Sequence, residues 1–496
     1  MAHDRLEERT RALLDRAMHA YQDSPRALGW LRAHVARFDE PVRLAVVGPR
    51  ESGKSTVVNA LCGEQVTPAQ TGGAPLLWYR ATTGSTESSA VAFPQGGRPV
   101  ELPVSRQDKQ LRVDTSMLDG MPLDRVEVSW PNRALRELTL IDTPALESPT
   151  LEGAAQQGGD EEASGLAHAV ERIYSDADAV LYLLPRPQYG DLGFLRAVQE
   201  HPIARAAPVN MLAVVTRADE LGGGRVDALI SARQVARRHR REAEIGGLCQ
   251  DVVPMSGMLA CAGRTLREPE FDAFSELARL PRKDIEPYLL SVDRFAGDAV
   301  PGSVPADVRV ALLGRFGLFG VRLVLTLLRR GSMTLPALAA ELVQRSGLGD
   351  LRDAIENSFV ERRPVLKARS ALIALEVVLR MEPRPAAAAL AGELERVMAG
   401  AHEFRELRLL AALRGGRIVL PAELRTEALR LLGDVGAGVA ERFGVEPGED
   451  PRPAAFDALQ RWRAHAEDGS LPAAARRAAA VVARGCEGVV ATPVPA

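Results

Sequence analysis

The sequence has 496 residues, of which 46% are hydrophobic and 26% are charged. At about 150 residues per domain this length predicts two or three structural units, and the composition is that of a folded protein rather than a disordered segment. The 62 basic and 65 acidic residues give a formal net charge of -3. A nucleic-acid or lipid partner would therefore need a local basic patch.

The N-terminus and the cysteines argue for an intracellular protein. The first residues are charged and lack the apolar stretch of a signal peptide. Cys62, Cys249, Cys261 and Cys486 show no metal-ligand spacing, and the eight histidines form no cluster. We therefore expect neither disulfides nor a transition-metal site.

Helical periodicity comes first in the chain, and alternating strands follow it. Apolar residues recur with helical spacing over residues 2–38, where Ser24-Pro25 separates two helices. From Val42 to about Ser256, short β-rich runs predict an α/β domain with a mostly parallel sheet and helices on both faces. The runs are VRLAVVG, LLWYRATT, RVEVSW, ELTLID, AVLYLLP, NMLAVVT and DVVPMS. Residues 145–165, rich in Gly, Ser and acids, predict a long mobile loop.

The second half of the chain has the composition and spacing of α-helices. RGGRIVLP, between helices ending near Leu413 and starting near Glu423, predicts a helical hairpin, and the Ala-rich residues 473–496 predict a frayed tail. We divide the chain into N-terminal helices (1–40), an α/β domain (41–262), a helical region with a hairpin tip near 414–421 (263–450), and C-terminal helices with a tail (451–496).

A phosphate-binding loop follows the first predicted strand. GPRESGKST, from Gly48 to Thr56, matches GxxxxGK[ST] between a strand and a helix. Lys54 is one of four lysines beside 58 arginines, which makes a chance match rare. The loop amides point at phosphate oxygens, Lys54 reaches the β- and γ-phosphates, and Ser55 can hold Mg²⁺. The predicted phosphate-binding set is Gly48, Ser52, Gly53, Lys54, Ser55 and Thr56.

Three further motifs follow later strands. In ELTLIDTPA, Asp142 ends a strand, where its carboxylate can bind Mg²⁺ through water or merely cap a turn. After NMLAVV comes Thr216-Arg217-Ala218-Asp219, where Asp219 can accept hydrogen bonds from guanine N1 and N2 while the Arg217 stem covers the ring. Adenine has no such donor pair. The weakest motif is VVPMSG, where the amides of Ser256 and Gly257 can meet guanine O6.

In this order the motifs resemble the G1, G3, G4 and G5 elements of a GTPase. Lys54 and Asp142 are 88 residues apart and Asp142 and Asp219 are 77 apart, far more than in a small Ras-like GTPase, and this looks like the dynamin superfamily. TPAQTGGAP resembles the dynamin-type switch I, with Thr71 closing over Mg²⁺ and the attacking water. With its helical segments RFGLFGVRLVLTLL and HEFRELRLLAALRGG, the chain resembles, over most of residues 5–450, the actinobacterial dynamin-like proteins of the isoniazid-inducible IniA/IniC type, closest to the IniC form.

The resemblance implies a bacterial GTPase head on an elongated helical stalk that acts on membranes. It implies hydrolysis of GTP to GDP, with Mg²⁺ at Ser55, Thr71 and Asp142, and with Lys54, Thr71 and Arg50 as catalytic candidates. The expected partners are a second head, in a homodimer or with a dynamin-like paralogue, and peripheral lipid at the inner face of the cell membrane. We expect no nucleic acid, because a ribosome-associated GTPase would need an RNA-binding face that this sequence lacks.

Two departures from the family pattern leave the rate of hydrolysis open. Arg50 stands where dynamin-type loops commonly carry Gln or another polar residue. It either neutralises transition-state charge as a built-in arginine finger or points to solvent beside Glu51, and we favour the second, slow site. Ala145 replaces the Gly of DxxG. The alternative function is therefore a weakly hydrolysing, nucleotide-binding structural partner of a more active paralogue.

For each of three further segments the sequence allows two interpretations. Residues 233–241, RQVARRHRR, are interpreted as a solvated helix face in preference to a nucleic-acid or lipid patch. Residues 308–328 are apolar but contain three arginines, which favours a buried, bent helix pair over a membrane span. Residues 414–420 are interpreted as a packed turn in preference to a contact with an anionic leaflet.

Overall fold

The computed structural model describes most of the chain, and the gaps fall largely in the α/β domain. The described residues are 2–67, 76–82, 87–107, 110–114, 116–118, 121–145, 172–173, 175–185, 194–195, 209–221, 227–331 and 333–491. They form a nine-stranded mixed sheet with helices, followed by a long helical region. The predicted fold class is confirmed.

The sheet has a parallel half and a mixed half. Its order is β11-β10-β9-β1-β8-β2-β7-β3-β4, and β5 and β6 form a separate antiparallel pair. From β11 to β8 all pairs are parallel, β2 runs antiparallel to β8 and parallel to β7, and β3 is antiparallel to both its neighbours. The strands are β1 (Val42–Val47), β2 (Leu76–Ala81), β3 (Ser89–Pro94), β4 (Val100–Leu102), β5 (Val104–Gln107), β6 (Gln110–Val113), β7 (Leu123–Trp130), β8 (Leu138–Asp142), β9 (Ala179–Leu184), β10 (Met211–Val215) and β11 (Asp251–Pro254).

Helices precede the sheet, alternate with it and fill the rest of the chain. The π-helical turn Glu356–Val360 lies between the helices Leu348–Ile355 and Arg363–Met381. The α-helices in the described residues are α1 (Ala2–Ala20), α2 (Pro25–Ala36), α3 (Lys54–Cys62), α4 (Ala228–Arg241), α5 (Ala243–Gly246), α6 (Gly257–Arg264), α7 (Glu268–Arg279), α8 (Arg282–Ile285), α9 (Val292–Ala296), α10 (Ala306–Leu328), α11 (Leu335–Arg345), α12 (Leu348–Ile355), α13 (Arg363–Met381), α14 (Ala387–Gly400), α15 (His402–Arg414), α16 (Ala422–Leu431), α17 (Val439–Phe443), α18 (Arg452–Glu467) and α19 (Ala473–Val490).

Alternate side chains of β1 enter two different cores, because successive residues of a strand point to opposite faces of the sheet. Val42, Leu44 and Val46 pack in a core that also contains buried side chains of α1, α3 and α13. Ala45 and Val47 pack on the opposite face with side chains of α4 and the segment before β11. Of these helices, α3 and α13 contact β1 directly.

A buried ionic junction joins these helices to the sheet. Asp178, just before β9, accepts hydrogen bonds from Arg37 Nη2 at 2.9 Å and from Lys367 Nζ at 2.6 Å. The backbone N–H of Arg43 donates to the same carboxylate at 3.0 Å. Lys367 also donates to the Pro41 carbonyl at 2.8 Å. One carboxylate therefore connects the end of α2, the start of β1 and α13.

Helix α10 is bent at Gly317, where φ is 63° and ψ is 169°. Among the described residues it is the one helix that is long and apolar enough to cross a membrane, and half of its most apolar stretch is buried within the protein. Two of its arginines bind carbonyls of the same helical region: Arg309 Nε donates to Phe295 at 3.0 Å and Arg322 Nε donates to Leu289 at 2.8 Å. These contacts agree with the predicted bent and buried helix.

The C-terminal residues are better ordered than the sequence indicated. We predicted a frayed tail from Ala473, but α19 extends to Val490 and packs along α18, with Val482, Cys486 and Trp462 buried. The apolar residues are mostly alanine, and their helical spacing gives α19 a continuous packing face. The prediction was wrong because small side chains allow a close helix pair; the last five residues, 492–496, lie outside the described residues.

The hairpin predicted near 414–421 connects α15 to α16 and contacts the α/β domain. A Cβ atom on Gly415 would lie 2.6 Å from the carbonyl oxygen of Arg240, at the end of α4. Arg414 pairs with Asp434 at 2.6 Å, and Leu420 is buried. This hairpin therefore lies against α4 and is not a tip remote from the sheet.

Candidate functional site

Close packing determines the shape of the loop between β1 and α3. A Cβ atom on Gly48 would lie 2.7 Å from Ser52 Oγ and 3.0 Å from Leu183 Cβ, so only glycine fits there. Gly53 has a φ of 89° and caps α3, and Glu51 has a φ of 60°, which is unusual for a residue with a side chain. The loop therefore wraps around the N-terminus of α3, as in a phosphate-binding loop.

Lys54 lies across this loop. Its ammonium group donates hydrogen bonds to the carbonyl oxygens of Gly48 at 3.1 Å and Pro49 at 2.9 Å. Burial lowers the pKa of Lys54, and the negative charge of Asp142 partly opposes this shift. The loop thus holds the positive charge that the sequence predicted for phosphate binding.

Ser55 and Asp142 are brought together by the parallel pairing of β1 and β8. Val46 lies in register with Asp142, and Ser55 Oγ donates to Asp142 Oδ2 at 2.9 Å. Burial raises the pKa of Asp142 to about 6, although the Ser55 hydrogen bond and the charge of Lys54 both lower it. A hydroxyl beside a carboxylate provides hard oxygen ligands of the kind that Mg²⁺ prefers.

The Thr216–Asp219 motif begins at the carboxyl end of β10 and reaches the loop before α3. Arg217 Nη2 donates to the Glu51 carbonyl at 2.9 Å, and Nη1 contacts Glu220 Oε1 at 3.3 Å. Asp219 is only 8% exposed, yet its carboxylate makes no hydrogen bond with any described residue. The Arg217–Glu51 contact was not predicted, because no residue spacing indicates it.

The motif after β11 differs from its predicted role. The backbone N–H of Ser256 donates to the Ser346 carbonyl at 2.8 Å, and Ser256 Oγ accepts from Leu259 N–H at 3.3 Å as the cap of α6. The Ser256 amide is thus already bonded to the helical region and does not face a base as predicted. Gly257 packs on Thr56, since a Cβ there would lie 3.0 Å from Thr56 Cγ2.

Of the remaining predicted residues, the structure describes Arg50 and Ala145 but not Thr71. Arg50 is exposed and makes no hydrogen bond or ion pair with the described part of the chain. Ala145 is also exposed. Thr71 lies outside the described residues, and so does nearly all of the predicted loop at 145–165.

Two polar groups without partners test whether the site fits a nucleotide. Ser52 Oγ is fully buried inside the loop and has no hydrogen-bond partner among the described residues, and Asp219, 8% exposed, has no donor to its carboxylate in the same part of the chain. Buried polar groups are normally hydrogen-bonded. Ser52 Oγ could donate a hydrogen bond to a phosphate oxygen, and the Asp219 carboxylate could accept hydrogen bonds from the N–H groups of guanine. The residues present therefore fit GTP, and Ser55 with Asp142 fits Mg²⁺.

Comparison with known proteins gives one strong match. No protein-family profile matches the chain. It is 35% identical over 498 aligned residues to the isoniazid-induced protein IniC of Mycobacterium tuberculosis, in strains CDC 1551 / Oshkosh and ATCC 25618 / H37Rv, with 98% of this chain and 98% of each relative covered.

The similarity to solved structures is much weaker. Two chains from an oligomerised bacterial dynamin pair, described as providing a mechanism for long-range sensing and tethering of membranes, align with 99% and 98% of this chain and 74% of their own length. The TM-scores are 0.35 and 0.34, at 12% and 11% identity. The similarity to these two chains is therefore weak in both sequence and structure.

Proposed function

Because the chain belongs to the family of the isoniazid-induced protein IniC, as its motifs predicted, we propose that it is a dynamin-like GTPase that hydrolyses GTP with Mg²⁺. The observation that carries this proposal is the convergence of three motifs at the carboxyl ends of β1, β8 and β10. They contribute the Lys54 loop, the Ser55–Asp142 pair and the buried Asp219 carboxylate. Ligands bind at such strand ends in open α/β sheets.

Each group has a role in the proposed reaction. The loop amides and Lys54 bind the phosphates, and Lys54 stabilises the charge that develops on the transferred phosphoryl group. Ser55, Asp142 and Thr71 would hold Mg²⁺, which when bound neutralises phosphate charge. Thr71 also positions the attacking water in this proposal, and Asp219 selects guanine. Arg217 connects the Thr216–Asp219 turn to the phosphate-binding loop by donating a hydrogen bond to the Glu51 carbonyl.

The exposure of Arg50 supports slow basal turnover. Since its guanidinium is exposed and makes no hydrogen bond or ion pair with the described residues, none of these residues fixes it over the phosphates. We propose that a second head, from another copy or a paralogue, docks across the nucleotide and accelerates hydrolysis. The alternative is a weakly hydrolysing structural partner of a more active paralogue, and the same exposure of Arg50 favours it.

The family relation also supports membrane association. We propose that the protein acts in the cytoplasm, associates peripherally with the inner face of the cell membrane, and couples GTP hydrolysis to membrane remodelling or maintenance. GTP and GDP, Mg²⁺, a second head and lipid are its proposed ligands and partners.

The substitution Asp219→Asn tests the guanine site. Two hydrogen bonds to a buried carboxylate are worth about 3 kcal/mol or more together, so we expect wild-type protein to prefer GTP over ATP by at least about a hundredfold. Asp219→Asn should lose GTP affinity and gain affinity for xanthosine triphosphate. The measurement is a set of dissociation constants for fluorescent GTP, XTP and ATP, with the exposed Asp272→Asn as the matched control. Equal affinity of the wild type for ATP and GTP would contradict the proposal.

A further inference from the structure

One face of α4 carries arginines without acidic partners. Its alanines and His239 are buried against the domain, while Arg237 and Arg241, one turn apart, are exposed. Neither makes an ion pair or a hydrogen bond with the described residues. Arg233 pairs with Asp350 at 3.4 Å, and Arg240 pairs with Asp251 at 2.5 Å. Arg238 pairs with Glu242 at 3.6 Å, so three of the five arginines of α4 have acidic partners and two do not.

The hairpin and the loop after α16 add aliphatic side chains beside this helix. Val419 is 78% exposed and Val435 is 76% exposed, more than any other large aliphatic side chain in the described residues. Gly415, four residues before Val419, lies against the carbonyl oxygen of Arg240. Asp434, next to Val435, lines the same 360 Å³ cleft as Arg237. The segments that carry the two valines thus lie beside the basic helix, although they are about 180 to 200 residues away from it in sequence.

Charge and shape indicate what such a surface can bind. Of the acids beside it, Asp434 pairs with Arg414 and Glu242 pairs with Arg238. The exposed Asp353, in the cleft that Arg237 lines, has no ion pair with the described residues. Against this one carboxylate stand Arg237, Arg241 and the exposed Arg417 of the hairpin, so the unpaired charge is positive on balance. No aromatic ring lines the two clefts along α4 in the described residues, and base stacking therefore has no platform. Arginines beside exposed aliphatic side chains are typical of contacts with an anionic lipid surface.

We propose that Arg237, Arg241, Arg417, Val419 and Val435, together called the α4 face, dock on an anionic lipid bilayer. The arginines contact the lipid phosphates, and the valines enter the boundary between headgroups and acyl chains. This inference rests on the proposed membrane function and gives that function a location. It places the membrane contact on the GTPase domain and the hairpin that covers it, and not on α10.

The test uses the full chain and vesicles of equimolar phosphatidylglycerol and phosphatidylcholine. Each basic residue near an anionic surface is worth about 1 kcal/mol, so Arg237→Gln with Arg241→Gln should weaken vesicle binding about 30-fold in co-sedimentation. The control pair Lys283→Gln with Arg294→Gln removes the same charge from exposed positions elsewhere and should change binding less than about threefold. Val419→Ser with Val435→Ser should weaken it about tenfold, whereas Val292→Ser with Val310→Ser, both exposed, should not.

Each other outcome overturns the inference in a distinguishable way. If wild-type protein binds vesicles and the Arg237 and Arg241 variant binds equally well, the α4 face is wrong and the membrane function stands. Equal binding of the wild type to pure phosphatidylcholine vesicles would remove the role of the arginines. If the wild type binds no vesicles but still binds fluorescent GTP, both the face and the membrane function fail while the nucleotide site stands. Binding to a short RNA that the Arg237 and Arg241 variant loses, with no vesicle binding, would assign the face to nucleic acid instead.

Discussion

Replacing Asp178 by Asn should open the junction that joins both chain ends to the sheet. The carboxylate lies between Arg37 and Lys367, and all three side chains are less than 5% exposed. Burial alone would raise the pKa of Asp178, but the charges of Arg37 and Lys367 and the hydrogen bonds from Lys367 and the Arg43 backbone outweigh it and hold the pKa well below its usual range. Asp178→Asn leaves two buried cations without this anion.

The expected loss follows from the burial of the pair. Removing one partner of a buried ion pair typically destabilises a protein by about 3–5 kcal/mol. Lys367→Met leaves Asp178 bonded to Arg37 and should reduce stability less, by about 1.5–3 kcal/mol. Because each substitution breaks the same contact, the double variant should lose less than the sum of the two.

Acid should have a related effect on the wild type. A carboxyl group whose pKa is lower in the folded protein stabilises the fold fully above its unfolded pKa, and this contribution is lost as the pH falls through the folded pKa. We therefore expect the junction to contribute its full stability at neutral pH and to lose it progressively below about pH 4.

Hydrogen exchange measured by mass spectrometry is the suitable assay, because a chain of this size need not unfold in two states. Peptides covering β1, β9 and α13 should lose roughly two to three and a half powers of ten in protection in Asp178→Asn. Asp298→Asn, at an exposed position, is the matched control. A loss of less than about tenfold, or strictly additive losses in the double variant, would show that the junction contributes little.

Two substitutions test the loop before α3. Gly48→Ala should abolish binding of fluorescent GTP because its Cβ would strike Ser52 and Leu183, whereas Gly29→Ala, with open space around it, should leave binding unchanged and stabilise α2 by up to about 1 kcal/mol; retained GTP binding in Gly48→Ala would refute the packing argument. Arg50→Ala should change neither GTP affinity nor the slow turnover of dilute protein in a phosphate-release assay, and fast wild-type turnover that collapses in this variant would make Arg50 catalytic.

The strands that carry the motifs could be predicted because they are continuous apolar runs. β1, β8, β10 and β11 are almost wholly buried, and each leads directly into one of the predicted motifs. The sequence did not indicate β3, which has six residues and ends in proline, or β4, β5 and β6, which have three or four residues each and include charged or polar side chains. Strands this short are stabilised by pairing with distant residues, and local patterns do not contain that information.

Contacts within the candidate site could be predicted where a motif follows a strand. The Ser55–Asp142 contact follows from parallel strand order, and the burial of Asp219 agrees with its predicted role. The Asp178 junction was missed, although Lys367, like Lys54, is one of only four lysines. Scarcity alone could not identify it, because Lys283 is equally rare in type and lies exposed. The difference lies in burial, which depends on how α13 packs against the sheet.

The helical region contacts the edge of the sheet near the proposed nucleotide site, through the turn between α11 and α12. There the Ser346 carbonyl accepts the Ser256 N–H, and Gly347, with a φ of 81°, packs so closely that a Cβ would lie 2.3 Å from the Pro254 carbonyl oxygen. One helical turn later, Arg352 Nη2 donates to the Leu61 carbonyl in the last turn of α3 at 3.0 Å. Since α3 begins at Lys54, a shift of this helix relative to β11 must either carry the turn with it or break these bonds. If GTP binds at the start of α3, as we propose, a movement there reaches the helical region through direct contacts and needs no flexible linker.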